Sequence, residues 1–143
     1  MWWIYHLWVI AFQIAALVSY AIGSYYFYKN KKNFMKFLTL GIILDIIMAI
    51  GASSGALPRM EAGQGAVWSS PLFIIHVITS GFGLFSFIFM YIYLLIKGTN
   101  YEYRRLRKIQ FKIFLPCWTI GVSIGLLNFF VKVIFNFRLY DFI

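Results

Sequence analysis

Unbroken apolar runs, rather than alternation, dominate this chain. Positions 4–28, 37–57, 72–96 and 113–137 carry almost no charge. Each is about as long as a bilayer-spanning helix, which needs roughly 20 residues. The segments between them hold helix punctuation. Pro58 closes the second run, and Ser69, Ser70 and Pro71 open the third with an N-cap and a first-turn proline. Pro116 falls near the start of the fourth run, where a missing N–H costs least. Segment 101–112 mixes Leu106, Ile109 and Phe111 with basic residues and is expected to lie as a short interfacial helix. The pattern predicts an all-α, integral membrane four-helix bundle of two helical hairpins, with 1–143 forming a single transmembrane domain.

Composition strengthens this reading. The chain is 62% hydrophobic and 12% charged, whereas soluble domains are about half apolar and about a quarter charged. Cys117 is the single cysteine and lies in the fourth run, so no internal disulfide is expected.

The net charge of +9 acquires meaning from its distribution. Lys29, Lys31, Lys32 and Lys36 follow the first run. Lys97, Arg104, Arg105, Arg107, Lys108 and Lys112 separate the third from the fourth. Arg59, Lys132 and Arg138 belong to the opposite side. Lysine and arginine in short loops mark the cytoplasmic face. Both basic loops are therefore expected inside and both termini outside, in the cytoplasmic membrane of a prokaryote. The N-terminus lacks the basic region of a signal peptide, so the first run reads as an uncleaved helix. The partners expected for Lys29, Lys31, Lys32, Arg104, Arg105, Arg107 and Lys108 are anionic lipid headgroups, not nucleic acid. Aromatics such as Trp2, Trp3, Trp68, Tyr91 and Tyr101 cluster near run ends, as interfacial rings do.

Small residues offer close helix contacts. Ala15, Ser19 and Gly23 form one stripe, Gly51 and Gly55 a pair, and Gly121 and Gly125 another.

Few ionisable groups fall inside the runs, and such groups are functional candidates. Asp45 stands near the middle of the second. An aspartate there costs about 2.5–3.5 kcal/mol to insert. It is expected either to relay protons or bind a partner, or to sit as a neutral acid bonded to a serine or threonine of an adjacent helix. Lys132 lies too far outward to pair with it. His6 and His76 occupy matching depths near the outer ends of the first and third runs. Two histidines from facing helices are a common axial pair for haem b, so His76 and His6 are candidate cofactor ligands. A metal site built from His6, His76 and Glu61 is a weaker expectation, and no metal is assigned. Phosphate loops, paired carboxylates, nucleophile elbows and cysteine clusters are missing from the sequence, so a self-sufficient enzyme is not expected.

Phe73-Ile-Ile-His76, the glycines Gly81 and Gly83, the basic Tyr103-Arg-Arg-Leu-Arg-Lys108, Leu115-Pro-Cys-Trp118 and the pair Gly121/Gly125 resemble a small four-helix membrane family linked to cytochrome c oxidase maturation, the CtaM or YozB type. The first half fits more loosely, through Lys31-Lys32 and the apolar helix after it. The resemblance implies handling of haem or copper during oxidase assembly. Of the family's histidines only His76 has a counterpart; Asn33 and Tyr103 stand where the family tends to have others.

The expectation is a non-catalytic accessory or assembly subunit of a respiratory membrane redox complex of the haem-copper oxidase type, packed against other integral membrane subunits. One alternative is an electron-transfer subunit binding haem b through His6 and His76. The other is a small transporter, for which Asp45, Gln13 and Asn128 are the available polar residues.

Overall fold

A computed structural model describes residues 2–54, 70–99, 102–135, 137 and 139–141. Side chains of residues 2–6 and 51–54 and of Asp141 lie outside that description, as do Pro58, Arg59, Glu61 and Trp68. The described elements are all helical. Helix α1 spans Trp2–Tyr28, α2 Phe34–Ser54, α3 Pro71–Lys97, α4 Arg104–Ile109 and α5 Leu115–Phe135. A π-helical turn, Gln110–Phe114, joins α4 to α5, and a 3-10 turn covers Leu139–Asp141. Three helical stretches among the described residues are long and apolar enough to cross a membrane: Leu7–Tyr28, Pro71–Lys97 and Arg104–Phe135.

The helix ends follow local chemistry. Ser70 Oγ accepts the Phe73 N–H at 3.3 Å, and Pro71 occupies the first turn of α3. That satisfies one orphan donor and places the proline where its lost donor is harmless. Helix α1 ends at a turn in which Asn30 and Asn33 adopt left-handed φ angles of 55° and 70°. Asparagine tolerates that region better than most residues. Lys31 N–H donates back to the Tyr26 carbonyl at 2.8 Å and closes the last turn.

One expected element takes another form. Instead of a separate interfacial helix over 101–112, α4 runs through the π turn directly into α5. Pro116 therefore lies within a continuous rod and not at a helix start. The π turn ends just before it, with the Leu115 N–H donating to the Gln110 carbonyl five residues back. A proline ring inside a regular helix clashes with the carbonyl four residues earlier. The wider π turn displaces that carbonyl and lets the rod continue.

Packing places α1 beside α2 and α5, and α3 beside α2 and α5. The helices thus stand at four corners, with α1 diagonal to α3 and α2 diagonal to α5. Tyr20, Phe27, Leu38, Phe87, Leu94 and Trp118 form the buried centre. Large apolar side chains such as Leu7, Ile43, Phe85, Phe89 and Ile134 point outward. On α1 the stripe is shifted from that expected: Ser19 and Gly23 are buried, but Ala16 takes the place of Ala15, which is exposed. Gly55 lies outside the described residues. The Gly121/Gly125 pair does mediate contact, with Gly121 against the α3 backbone at Ser80 and Gly125 against the His76 ring.

At the basic end, Arg107 Nη2 donates to Asn30 Oδ1 at 2.6 Å, and its guanidinium lies over the Phe27 ring. Arg107 is half-buried. It ties α4 to the α1–α2 turn, whereas the other basic residues of its group, Arg104, Arg105 and Lys108, stay exposed.

Candidate functional site

Each long helix contributes one residue to a cluster at the bundle centre. These are Tyr20 from α1, Asp45 from α2, Phe87 from α3 and Trp118 from α5. Trp118 Nε1–H donates to Asp45 Oδ2 at 2.7 Å. Tyr20 O–H points at the same oxygen from 3.5 Å, a longer and weaker contact. The Tyr20 ring stacks on Phe87 at a centroid distance of 4.4 Å and meets Trp118 edge-on at 4.6 Å. Tyr20, Phe87 and Trp118 are fully buried, and Asp45 is 9% exposed. Such aromatic pairs add about 0.5–1.5 kcal/mol beyond the area they bury.

Asp45 therefore faces its neighbouring helices, as expected, but its partners are an indole and a phenol, not serine or threonine. The geometry fits a fixed acceptor. One oxygen receives two donors inside an aromatic cage, and the bond to Trp118 crosses the α2–α5 diagonal. Chemically, the cluster can hold a polar group in an apolar interior and lock four helices in register. A second polar contact joins α2 to α3. The Thr39 hydroxyl donates to the Met35 carbonyl at 2.7 Å, which leaves Tyr91 O–H to donate to Thr39 Oγ1 at 2.7 Å.

His76 lies about 16 Å along α3 from Phe87, at 1.5 Å per residue. Its Nδ1 is 2.6 Å from the Gly121 carbonyl of α5. A carbonyl only accepts, so Nδ1 carries a proton and donates it to Gly121. The imidazole sits where a side chain on Gly125 would be, with Cε1 2.7 Å from an ideal Cβ position there. Tyr140 of the 3-10 turn stacks near the imidazole at 6.3 Å and meets Phe73 edge-on at 5.2 Å. Asn128 Oδ1 accepts the Tyr140 N–H at 3.4 Å and holds this turn down. Burial pushes the Tyr140 phenol up to about 12. The partner of His76 is thus backbone within the same chain. His6 belongs to α1, diagonal to α3, and its side chain lies outside the described residues. Among the described residues no group of three histidine, cysteine or carboxylate side chains converges.

Replacing His76 with alanine should cost about 1 kcal/mol, because its hydrogen bond to the Gly121 carbonyl, which keeps its own partner within α5, is lost. Gly125→Ala should produce a similar loss by pushing the imidazole off that carbonyl. Equilibrium unfolding in detergent measures both. Stability unchanged in both variants would remove His76 from the packing scheme.

No feature of the hydrophobic pattern points to Gln110. It is fully buried in the π turn, and its Nε2 donates to the Ser24 carbonyl of α1 at 2.9 Å. Its Oε1, Ser24 Oγ and Arg107 Nε are buried without partners among the described residues. A lone glutamine beside basic residues reads as loop, and only the continuity of α4 with α5 brings it inside. Tyr103, one of the positions where the resembled family tends to have histidine, is buried and donates to the Gly98 carbonyl at 2.6 Å.

Comparison with protein-family models, with curated proteins and with solved structures finds no match to this chain.

Proposed function

We propose that this chain is an integral membrane bundle of two helical hairpins, with both termini outside, that serves as a non-catalytic accessory or assembly subunit of a respiratory membrane redox complex. The observation that carries the scaffold reading is the use of the interior polar groups. The Asp45 carboxyl and His76 Nδ1 are both engaged by other helices of the same chain. The large apolar side chains of the outer faces remain open to lipid and to neighbouring subunits. The respiratory assignment rests on the sequence resemblance to the oxidase-maturation family.

Native gel separation of solubilised membranes, followed by subunit identification and an optical spectrum, tests this. The chain should migrate with haem-containing subunits, and deleting it should lower the yield of the assembled complex. A chain that migrates alone, with the complexes intact in its absence, overturns the proposal.

A second reading has one specific observation in its favour. A ligand histidine usually donates its other ring N–H to a carbonyl or carboxylate, and His76 does so to Gly121. Its Nε2 is then the nitrogen that would meet a haem iron, with His6 as the opposite ligand. Under this reading His76→Ala abolishes a b-type absorbance of the purified chain. Under the scaffold reading it only weakens packing.

The orientation follows from the charge asymmetry. An impermeant thiol reagent should label Gln64→Cys in intact cells and leave Lys31→Cys untouched. The reverse pattern would invert the topology.

A further inference from the structure

At the basic end of the bundle, α3 and the α4–π rod leave a cleft of about 820 Å³ between them, within the roughly 300–1,000 Å³ of small-molecule sites. Phe89 and Met90 of α3 and Phe114 of the π turn line its apolar side, with Phe89 largely exposed. Tyr93, Arg104 and Arg105 also line it, and all three are exposed. Ser86 to Tyr93 is seven residues, so the apolar part runs about 10 Å along α3. Helix α3 packs on α5 and on the π turn, and the cleft opens beyond those contacts, alongside α4.

The charges along the lining do not cancel. Glu102 takes one guanidinium: Arg104 Nε lies 3.3 Å from Glu102 Oε2, with both side chains largely exposed. Arg105 also lines the cleft and has no carboxylate partner among the described residues. The site thus joins an excess positive charge to an apolar slot. That pairing is complementary to an anion carrying a hydrocarbon chain. We propose that this cleft is a discrete binding site for one anionic phospholipid, with its phosphate on Arg105 and Arg104 and an acyl chain between Phe89, Met90 and Phe114. The proposal rests on the membrane-spanning reading. It differs from general headgroup attraction in having a defined pocket and a defined pair of arginines.

The same geometry supplies the test. The full-length chain, purified and depleted of lipid, is titrated with phosphatidylglycerol or phosphatidylcholine in detergent micelles and followed by native mass spectrometry. One phosphatidylglycerol should bind about tenfold more tightly than phosphatidylcholine, on the scale of the surface attraction that one or two arginines exert. The Arg104→Gln, Arg105→Gln double variant should remove that preference. Ser86→Trp, which fills the slot, should weaken both lipids. Lys31→Gln with Lys32→Gln, on the other basic loop, should change neither. A photo-crosslinker at Phe89 should capture lipid in native membranes. Equal binding of the two lipids, an equal loss from the lysine variants, or a polypeptide captured at Phe89 would each overturn the proposal. Recovery of the chain in the soluble fraction would instead overturn the membrane reading beneath it.

Discussion

Replacing Asp45 with alanine is expected to destabilise the folded bundle by about 3 kcal/mol, while making the second helix easier to insert. The two effects have different origins. On the membrane-spanning reading proposed above, insertion of α2 as an isolated helix improves because the central aspartate, worth about 2.5–3.5 kcal/mol against insertion, is gone. The assembled bundle suffers because the Trp118 indole N–H and the Tyr20 hydroxyl lose their shared acceptor, Asp45 Oδ2. Each donor left unpaired in the interior costs about 1–3 kcal/mol. Asp45→Asn keeps an acceptor oxygen at the same place and should cost no more than about 1 kcal/mol. Trp118→Phe removes the stronger donor. Because the pair is in direct contact, the cycle of Asp45→Ala with Trp118→Phe should show a coupling of about 0.5–3 kcal/mol. Reversible unfolding in mixed detergent measures the stabilities, and glycosylation-mapped insertion measures the helix. Equal stability of the alanine variant and the parent would mean that the cluster does not hold the bundle.

This cluster was half legible in the sequence. The cost of a carboxyl at a helix centre pointed to Asp45, and the need for a partner followed. The identity of that partner did not, for a physical reason. Tyrosine and tryptophan in membrane helices collect at the interfaces, so Tyr20 and Trp118 were overshadowed by the aromatic run ends. Their depth was the available signal. Tyr20 lies eight residues before the end of the first run, and Asp45 eight residues after the start of the second, both counted from the lysine-rich loop between the runs. A phenol or indole so far from water needs a polar partner, and matching depth supplied one. The limits of α1 and α3 were readable because length and capping fix them. The continuity of α4 with α5 was not. Basic residues at 104–108 and a proline at 116 both argue locally for a break, and only the π turn, which leaves no compositional trace, reconciles them with one rod. Gln110 was lost with it.

Gly83→Ala and Gly121→Ala are each expected to destabilise the chain by about 1–3 kcal/mol or more, the range for inserting atoms into a closely packed core. Gly81→Ala, two residues from the first, should instead be neutral or stabilising by about 0.5–1 kcal/mol, the gain of alanine over glycine inside a helix. The three positions differ in what an added methyl would meet. At Gly83 it would meet Trp118 Cβ, and Trp118 Cα at 2.7 Å. At Gly121 it would meet the backbone nitrogen of Ser80, with Thr79 Oγ1 at 2.7 Å and Ser80 Cα at 2.8 Å. At Gly81 nothing lies within 4 Å. A flexible side chain can turn away from a new methyl, but a helix backbone cannot. Relief at Gly83 or Gly121 therefore requires α3 and α5 to separate. Separation at Gly83 also draws the Trp118 indole off Asp45, so this variant should share part of its loss with Trp118→Phe and combine with it less than additively. Gly121→Ala should act through His76 instead, because the Gly121 carbonyl is the acceptor of its Nδ1. Unfolding of the three single variants and the Gly83→Ala, Trp118→Phe pair decides the matter. Equal stability of the Gly81 and Gly83 variants would show that α3 and α5 do not meet backbone to backbone.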